Sequence, residues 1–123
     1  MGILLFIIAV ILFAIISPIY MIGGIILSGG LKDISKYFHN IAFAIDQLGN
    51  VMGAPLMNKV LLKKNAPKLY GNPDETISHV TGVNYKAQAL TDFGYFVAHT
   101  LDAVDENHVN KAAETDQINK LCN

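Results

Sequence analysis

Apolar residues run without interruption through the first quarter of the chain. From Ile3 to Ser28 the sequence reads ILLFIIAVILFAIISPIYMIGGIILS and holds no charged side chain. As a helix this stretch would be about 39 Å long, which exceeds the roughly 30 Å hydrocarbon core of a bilayer. The pattern predicts a transmembrane anchor over residues 1–31. It also predicts a kink at Pro18, because proline has no N–H for the carbonyl of Ala14.

Two other interpretations of this segment fail on physical grounds. A cleaved signal peptide has a charged N-terminal region, a short apolar region and a small-residue cleavage site, and this segment has none of them. A buried helix of this length would need more apolar surface around it than the rest of the chain supplies. We therefore expect a retained span. All lysines follow it, so the positive-inside rule places the remaining residues on the cytoplasmic or equivalent face.

The apolar spacing then changes to that of an amphipathic helix. Apolar residues recur every three or four positions, at Ile34, Phe38, Ile41, Ile45, Leu48 and Met52. Ala42, Phe43 and Ala44 widen the stripe enough for two partners. We expect this helix to end near Gly53 and Pro55.

A second apolar run, at Leu56, Met57, Val60, Leu61 and Leu62, is interleaved with lysines. This composition is typical of a segment that lies among lipid headgroups, and it completes a basic juxtamembrane region over residues 32–70. The alternative is a solvated face, whose field fades within about 10 Å at normal salt. Because four lysines fall within ten residues, we predict contact with anionic lipid at Lys59, Lys63, Lys64 and Lys68.

The charge changes sign after residue 70, since the balance is +4 over residues 1–70 and −5 over residues 71–123. This acidic region opens with a helix-start pattern. Asn72 is a capping residue, Pro73 suits the first helical position, and Asp74 and Glu75 complement the helix dipole. Gly82 is expected to end the helix after about two turns.

A further helix is predicted from about Ala89 to Val104, with Leu90, Phe93, Val97, Leu101 and Val104 on one face and Phe96 beside it. A weakly amphipathic stretch follows over residues 106–119. The sequence shows no strand pattern and no repeat. The predicted fold class is all-α: an N-terminal transmembrane helix followed by three or four short amphipathic helices.

Signatures of catalysis and of nucleic-acid binding are missing from the sequence. It holds no nucleotide-binding glycine motif, no H-E-x-x-H and no G-x-S-x-G. The single cysteine, Cys122, permits no intramolecular disulfide, and the four histidines lack a convergent metal spacing. The chain has no arginine, which disfavours nucleic acid. We expect no catalytic, cofactor-binding or metal site, and no small-molecule substrate.

Three blocks of sequence are more specific than the rest: AIDQLGN (44–50), GNPDETISHVTG (71–82) and LDAVDENHVNKAAE (101–114). Their order resembles a group of small membrane-associated proteins of bacteriophages and prophages that read D-Q-x-x-N, then G-x-P-D-E-T-I-S-x-x-x-G, then D-x-x-x-x-x-H-C-x-x-A. Matching positions in the three blocks are Asp46, Gln47 and Asn50; Gly71, Pro73, Asp74, Glu75, Thr76, Ile77, Ser78 and Gly82; and Asp102, His108 and Ala112. This chain departs from the pattern at Val109, where the group usually has cysteine, and in the roughly 20 residues between its first two blocks. The resemblance implies a phage or prophage gene and no established activity.

These observations predict a structural or assembly role in a virus particle. The protein would link a viral or host inner membrane to a capsid, to other virion or membrane proteins, or to its own copies. The alternative is a lysis protein of the holin-like, pore-forming kind, which small size and a span containing small residues would suit. Holin-like proteins usually have little folded mass outside the membrane, whereas about three quarters of this chain lies beyond the apolar segment. Nothing in the sequence supports an enzyme.

Overall fold

The computed structural model describes residues 1–104 and 110–114 of the 123-residue chain. Its helices are α1 (Gly2–Leu27), α2 (Leu31–Val60), α3 (Ile77–Lys86) and α4 (Asp92–Val104), and residues 110–114 are also helical. The described residues contain no strand, only an isolated antiparallel bridge between Leu62 and Leu90. The all-α prediction is confirmed. Most of the predicted stretch 106–119, including His108, lies outside the described residues, as does Cys122.

The helix α1 carries no charged side chain, and most of its residues are exposed. None of its 26 residues is buried, and it continues through Pro18 as one helix. The bend predicted at Pro18 stays a prediction. Ser28 closes the helix, because its hydroxyl and its backbone N–H both donate to the carbonyl of Gly24, at 2.7 and 3.1 Å. By length and composition α1 is able to cross a membrane, a test that a signal sequence also passes.

The chain divides into two compact units, Met1–Ala42 and a second that begins at Phe43. Within the first unit, α2 packs back against α1. The hydroxyl of Tyr37 donates to the carbonyl of Tyr20 at 3.2 Å. A Cβ atom at Gly24 would collide with the ring of Tyr37, so the missing side chain allows this close approach.

The helix α2 has 30 residues and continues to Val60, so the predicted end near Gly53 and Pro55 is wrong. A proline inside a helix loses one backbone hydrogen bond. Here tertiary hydrogen bonds hold the turns on both sides of Pro55, because Asn50 and Asn58 each bond a later segment of the chain. Sequence spacing does not reveal such bonds.

The core of the second unit lies where the end of α2 meets α3 and α4. Its buried residues are Leu61, Leu62, Tyr70, Val80, Leu90 and Ala98. Backbone bonds from Lys63 N to the Ala89 carbonyl (2.8 Å) and from Thr91 N to the Leu61 carbonyl (2.9 Å) tie residues 61–63 to residues 89–91. The prediction that Leu61 and Leu62 lie among headgroups is therefore wrong, since burial in this core removes both from the surface.

Two further helix boundaries differ from the predicted ones. Gly82 is buried within α3, which continues to Lys86, because one glycine inside a helix costs only about 1 kcal/mol and the burial of the turn around it outweighs that cost. The helix α4 begins at Asp92 instead of Ala89. Residues 89–91 form the bridge to residues 61–63, and the Thr91 hydroxyl then caps the helix by accepting from Gly94 N at 3.1 Å.

Candidate functional site

The motif GNPDETIS forms an ordered turn that leads into α3. Gly71 has a φ of +121°, a conformation that favours glycine. The side chain of Asn72 accepts from Asp74 N at 3.1 Å, and the Asn72 carbonyl accepts from Glu75 N at 3.1 Å. This Asx-type turn needs no helix to satisfy its backbone groups.

The residue that caps α3 is Thr76, whose hydroxyl accepts from His79 N at 3.0 Å. The predictions of Asn72 as cap and Pro73 as first helical residue are therefore wrong. The helix has no acidic residue in its first turn, so the dipole role predicted for Asp74 and Glu75 is wrong as well. The turn bonds of Asn72 compete with capping and hold these residues ahead of the helix.

A fully buried asparagine on α2 supports the turn from below. Asn50 is 0% exposed. Its side-chain amide donates to the carbonyls of Asn72 and Glu75, at 2.9 and 2.8 Å, and its side-chain oxygen accepts from Gly71 N at 3.1 Å. One amide side chain thus satisfies three backbone groups of the motif, as backbone groups that are turned away from water require.

One turn earlier on α2, Asp46 binds the start of α3. One carboxylate oxygen accepts from Ile77 N at 3.0 Å and the other from the Ser78 hydroxyl at 2.8 Å. A Cβ atom at Gly49 would collide with the side chain of Ile77, so α2 approaches the motif closely here. The structure therefore brings the first two blocks of the sequence pattern into direct contact.

Two more asparagines hold the chain just before the motif. The Asn58 side chain exchanges two hydrogen bonds with the backbone of Tyr70, at 2.7 and 3.0 Å. Asn84 is completely buried, and its side-chain amide donates to the carbonyls of Lys68 and Val80, at 2.7 and 2.9 Å. These bonds hold residues 68–70 in place. Residues 68–70 lead directly into the exposed tip of the motif, residues 72–74.

The ionisable side chains next to the motif lie close to one another. The buried Glu75 carboxylate forms an ion pair with Lys68. His79 is also buried; its Nε2 lies 4.0 Å from a Glu75 oxygen, and its Nδ1 lies 2.9 Å from the carbonyl oxygen of Ala112. Within residues 1–104 and 110–114, no three histidine, cysteine, aspartate or glutamate side chains come together as a metal ion needs. The arrangement is suited to holding a loop.

Burial also affects the Tyr70 phenol. Its hydroxyl lies 2.8 Å from the hydroxyl of Thr81, which itself donates to the Ile77 carbonyl at 2.7 Å. Removal from water raises the pKa of Tyr70 above its usual value of 10.0, and the hydrogen bond with Thr81 opposes part of that shift. The phenol therefore stays neutral and bonded in the core at physiological pH.

The four predicted lipid-contact lysines occupy different environments. Lys59 and Lys64 are exposed. Lys63 is exposed too, and its ammonium group donates to the Gln88 carbonyl at 3.0 Å. Lys68 is only 20% exposed and is committed to Glu75. Lys59, Lys63 and Lys64 are therefore accessible to solvent, whereas Lys68 is half-buried and paired.

The helix α2 carries its polar residues on the inside of the second unit and its apolar residues on the outside. From residue 43 to residue 56, Asp46, Gln47 and Asn50 are buried or half-buried, whereas every exposed residue is apolar. We call the exposed set the outer face: Phe43, Ala44, Ile45, Leu48, Val51, Met52, Pro55 and Leu56. Soluble monomers rarely expose so long an uncharged surface, and a patch of this kind is typical of a site of interaction with a protein or a membrane.

Two aromatic residues on α4 enlarge the exposed apolar surface of the second unit. Phe93 is 54% and Phe96 64% exposed, and their rings stack with centroids 6.1 Å apart. The prediction that Phe93 shares a face with Leu90 is wrong, because Leu90 is fully buried and Phe93 is not. Gly94 indicates which side of α4 faces inward, because it packs against the Leu61 carbonyl.

Comparison of the chain with models of known protein families, with curated protein sequences and with solved structures found no match. The resemblance to the phage and prophage group stays a prediction.

Proposed function

We propose that this chain is a membrane-anchored structural protein, in which α1 spans a bilayer and the second unit serves assembly of a virus particle. The observation that carries the proposal is the largely exposed apolar surface of α1, whose 26 residues include no charged side chain and no buried residue. Water would make this surface highly unfavourable, at about 25 cal/mol for each Å² of apolar area. Lipid would remove that cost.

Contacts between α1 and α2 support retention of the span. The hydrogen bond from Tyr37 to the Tyr20 carbonyl and the close approach at Gly24 both join residues before and after the break between the two helices. A leader that is removed would forfeit these contacts.

The form of the second unit supports a structural role over a catalytic one. The backbone of its most specific sequence block, residues 71–82, accepts and donates hydrogen bonds that hold a turn in place. The turn leaves residues 72–74 exposed, and the outer face of α2 offers a separate apolar surface. Both features suit contact with other macromolecules. The resemblance to phage proteins makes a virus particle the favoured setting, with the body on the cytoplasmic or equivalent side of the membrane.

The anchor can be tested with the full chain in a bacterium. We expect the protein to stay with the membrane after carbonate washing, and expression without other viral genes to leave growth and membrane potential unchanged. Extraction by carbonate would contradict the anchor. Collapse of the membrane potential would instead favour the holin-like alternative.

The structural role itself requires the particle. Mass spectrometry of purified particles, from the virus or prophage that carries the gene, should detect this chain, and detergent that removes lipid should release it. A chain present in infected-cell membranes and missing from particles would contradict a virion role.

A further inference from the structure

We propose that the second unit docks on the surface of an anionic bilayer through the outer face of α2, the Phe93–Phe96 pair of α4, and the lysines Lys59, Lys63 and Lys64. This inference rests on the proposed membrane anchor and names the surface that would meet the lipid. It also narrows the sequence prediction, because Lys68 is occupied by Glu75.

The polarity of α2 is inverted. A helix on the surface of a soluble unit normally turns its apolar stripe inward, whereas this one turns Asp46 and Asn50 inward, where they bind the motif. Outward it shows large apolar residues, with Ile45 62%, Met52 67% and Leu56 68% exposed. A helix with this arrangement suits the boundary between headgroups and acyl chains.

Exposed lysines follow the C-terminal end of this face. Lys59, Lys63 and Lys64 follow directly after Leu56 and are exposed. Phe93 lies between Thr91, whose hydroxyl donates to the Val60 carbonyl at 2.7 Å, and Gly94, which packs on the Leu61 carbonyl. The start of α4 is therefore held against residues 60 and 61, which lie between Lys59 and Lys63 in the sequence. Apolar residues flanked by lysines favour anionic lipid over a second protein chain, which would have to pair or desolvate those charges.

The helix α2 begins beside the end of α1. The Tyr37–Tyr20 hydrogen bond holds the first two turns of α2 beside the last two turns of α1. Tyr20 lies seven residues before the end of α1, about 10 Å along a helix. If α1 spans the bilayer, α2 therefore starts within the headgroup region.

The test uses the full chain with Cys122→Ser, reconstituted in vesicles of phosphatidylcholine mixed with phosphatidylglycerol. Spin labels are attached to single cysteines at Met52→Cys on the outer face, Asp74→Cys on the motif and Ile11→Cys in α1. Accessibility to oxygen and to a water-soluble nickel chelate reports whether each label lies in lipid. We expect the labels at positions 52 and 11 to favour oxygen and the label at position 74 to favour the nickel chelate.

Each outcome separates docking from the anchor. A label in lipid at position 11 with a water-exposed label at position 52 would overturn docking and leave the anchor intact. Spin–spin broadening at position 52 would identify a second copy as the occupant and overturn docking too. A water-exposed label at position 11 would refute the anchor, and position 52 would then report docking alone.

Charge gives a second readout. Replacing Lys59, Lys63 and Lys64 with Gln should lower the ratio of docked to undocked second units by about fivefold for each lysine, and only in vesicles that contain phosphatidylglycerol. The matched control is Lys86→Gln, since Lys86 is exposed but pairs with Glu114. An unchanged ratio of docked to undocked second units in the triple variant would contradict contact between these lysines and anionic lipid.

Discussion

Replacement of Asn50 by alanine tests whether the rigid motif depends on its buried amide. The substitution deletes hydrogen bonds to the Asn72 carbonyl, the Glu75 carbonyl and the Gly71 N–H. Each bond contributes about 0.5–1.5 kcal/mol net, and buried backbone groups left without partners cost more. We therefore expect Asn50→Ala to lower the free energy of unfolding of the second unit by about 3 kcal/mol, a large part of the stability of a small domain.

The assay is a urea titration of the full chain in mild detergent, followed by near-UV circular dichroism of the tyrosines, because Tyr70 lies in the same core. The matched control is Asn65→Ala, at an exposed position, which should change stability by less than about 0.5 kcal/mol. Asn50→Asp should be at least as damaging as alanine, since it turns a carboxylate toward two carbonyl oxygens. Equal midpoints for the Asn50→Ala and Asn65→Ala variants would refute the reasoning.

Two further predictions concern the same core. Gly94→Ala would push a methyl group into the Leu61 carbonyl and should cost about 2 kcal/mol of stability in the same titration. Gly23→Ala should cost little, because the added atom meets nothing within 4 Å. Equal effects of the two substitutions would contradict the packing of α4. Because burial raises the Tyr70 pKa, the folded state keeps a proton that the unfolded state releases above about pH 10. Stability should therefore fall as the pH rises from there through the folded pKa, and Tyr70→Phe should make that fall shallower; an unchanged slope would show that the phenol ionises equally in both states.

The apolar segment and the all-α class were predictable because both depend on local pattern. A 26-residue stretch without charge needs no tertiary information to be recognised. Three-to-four residue spacing likewise reports helix wherever it occurs. The sequence also picked out the residues of the motif, although their roles in the turn were assigned incorrectly.

Helix ends were less predictable, because tertiary contacts overrode local signals. Pro55 and Gly82 are ordinary stop signals, yet Asn50 and Asn58 hold the helix on either side of Pro55, and Gly82 lies in a buried turn. Conversely, Ala89 and Leu90 have helix-compatible side chains but pair with residues 61–63. Such long-range bonds have no signature in the spacing of apolar residues.

The side of α2 that faces outward was the least predictable feature. Periodicity shows that a helix has an apolar stripe and a polar stripe, but it does not say which one meets the body of the protein. The stripe containing Ile45, Leu48 and Met52 has the spacing of a core face. Tertiary structure decided otherwise, because Asp46 and Asn50 satisfy the backbone of residues 71–78, and a buried turn without those partners would be unstable. The sequence by itself thus determined the apolar segment and the helical class, whereas the hydrogen-bond requirements of one turn determined which surface of α2 was left exposed.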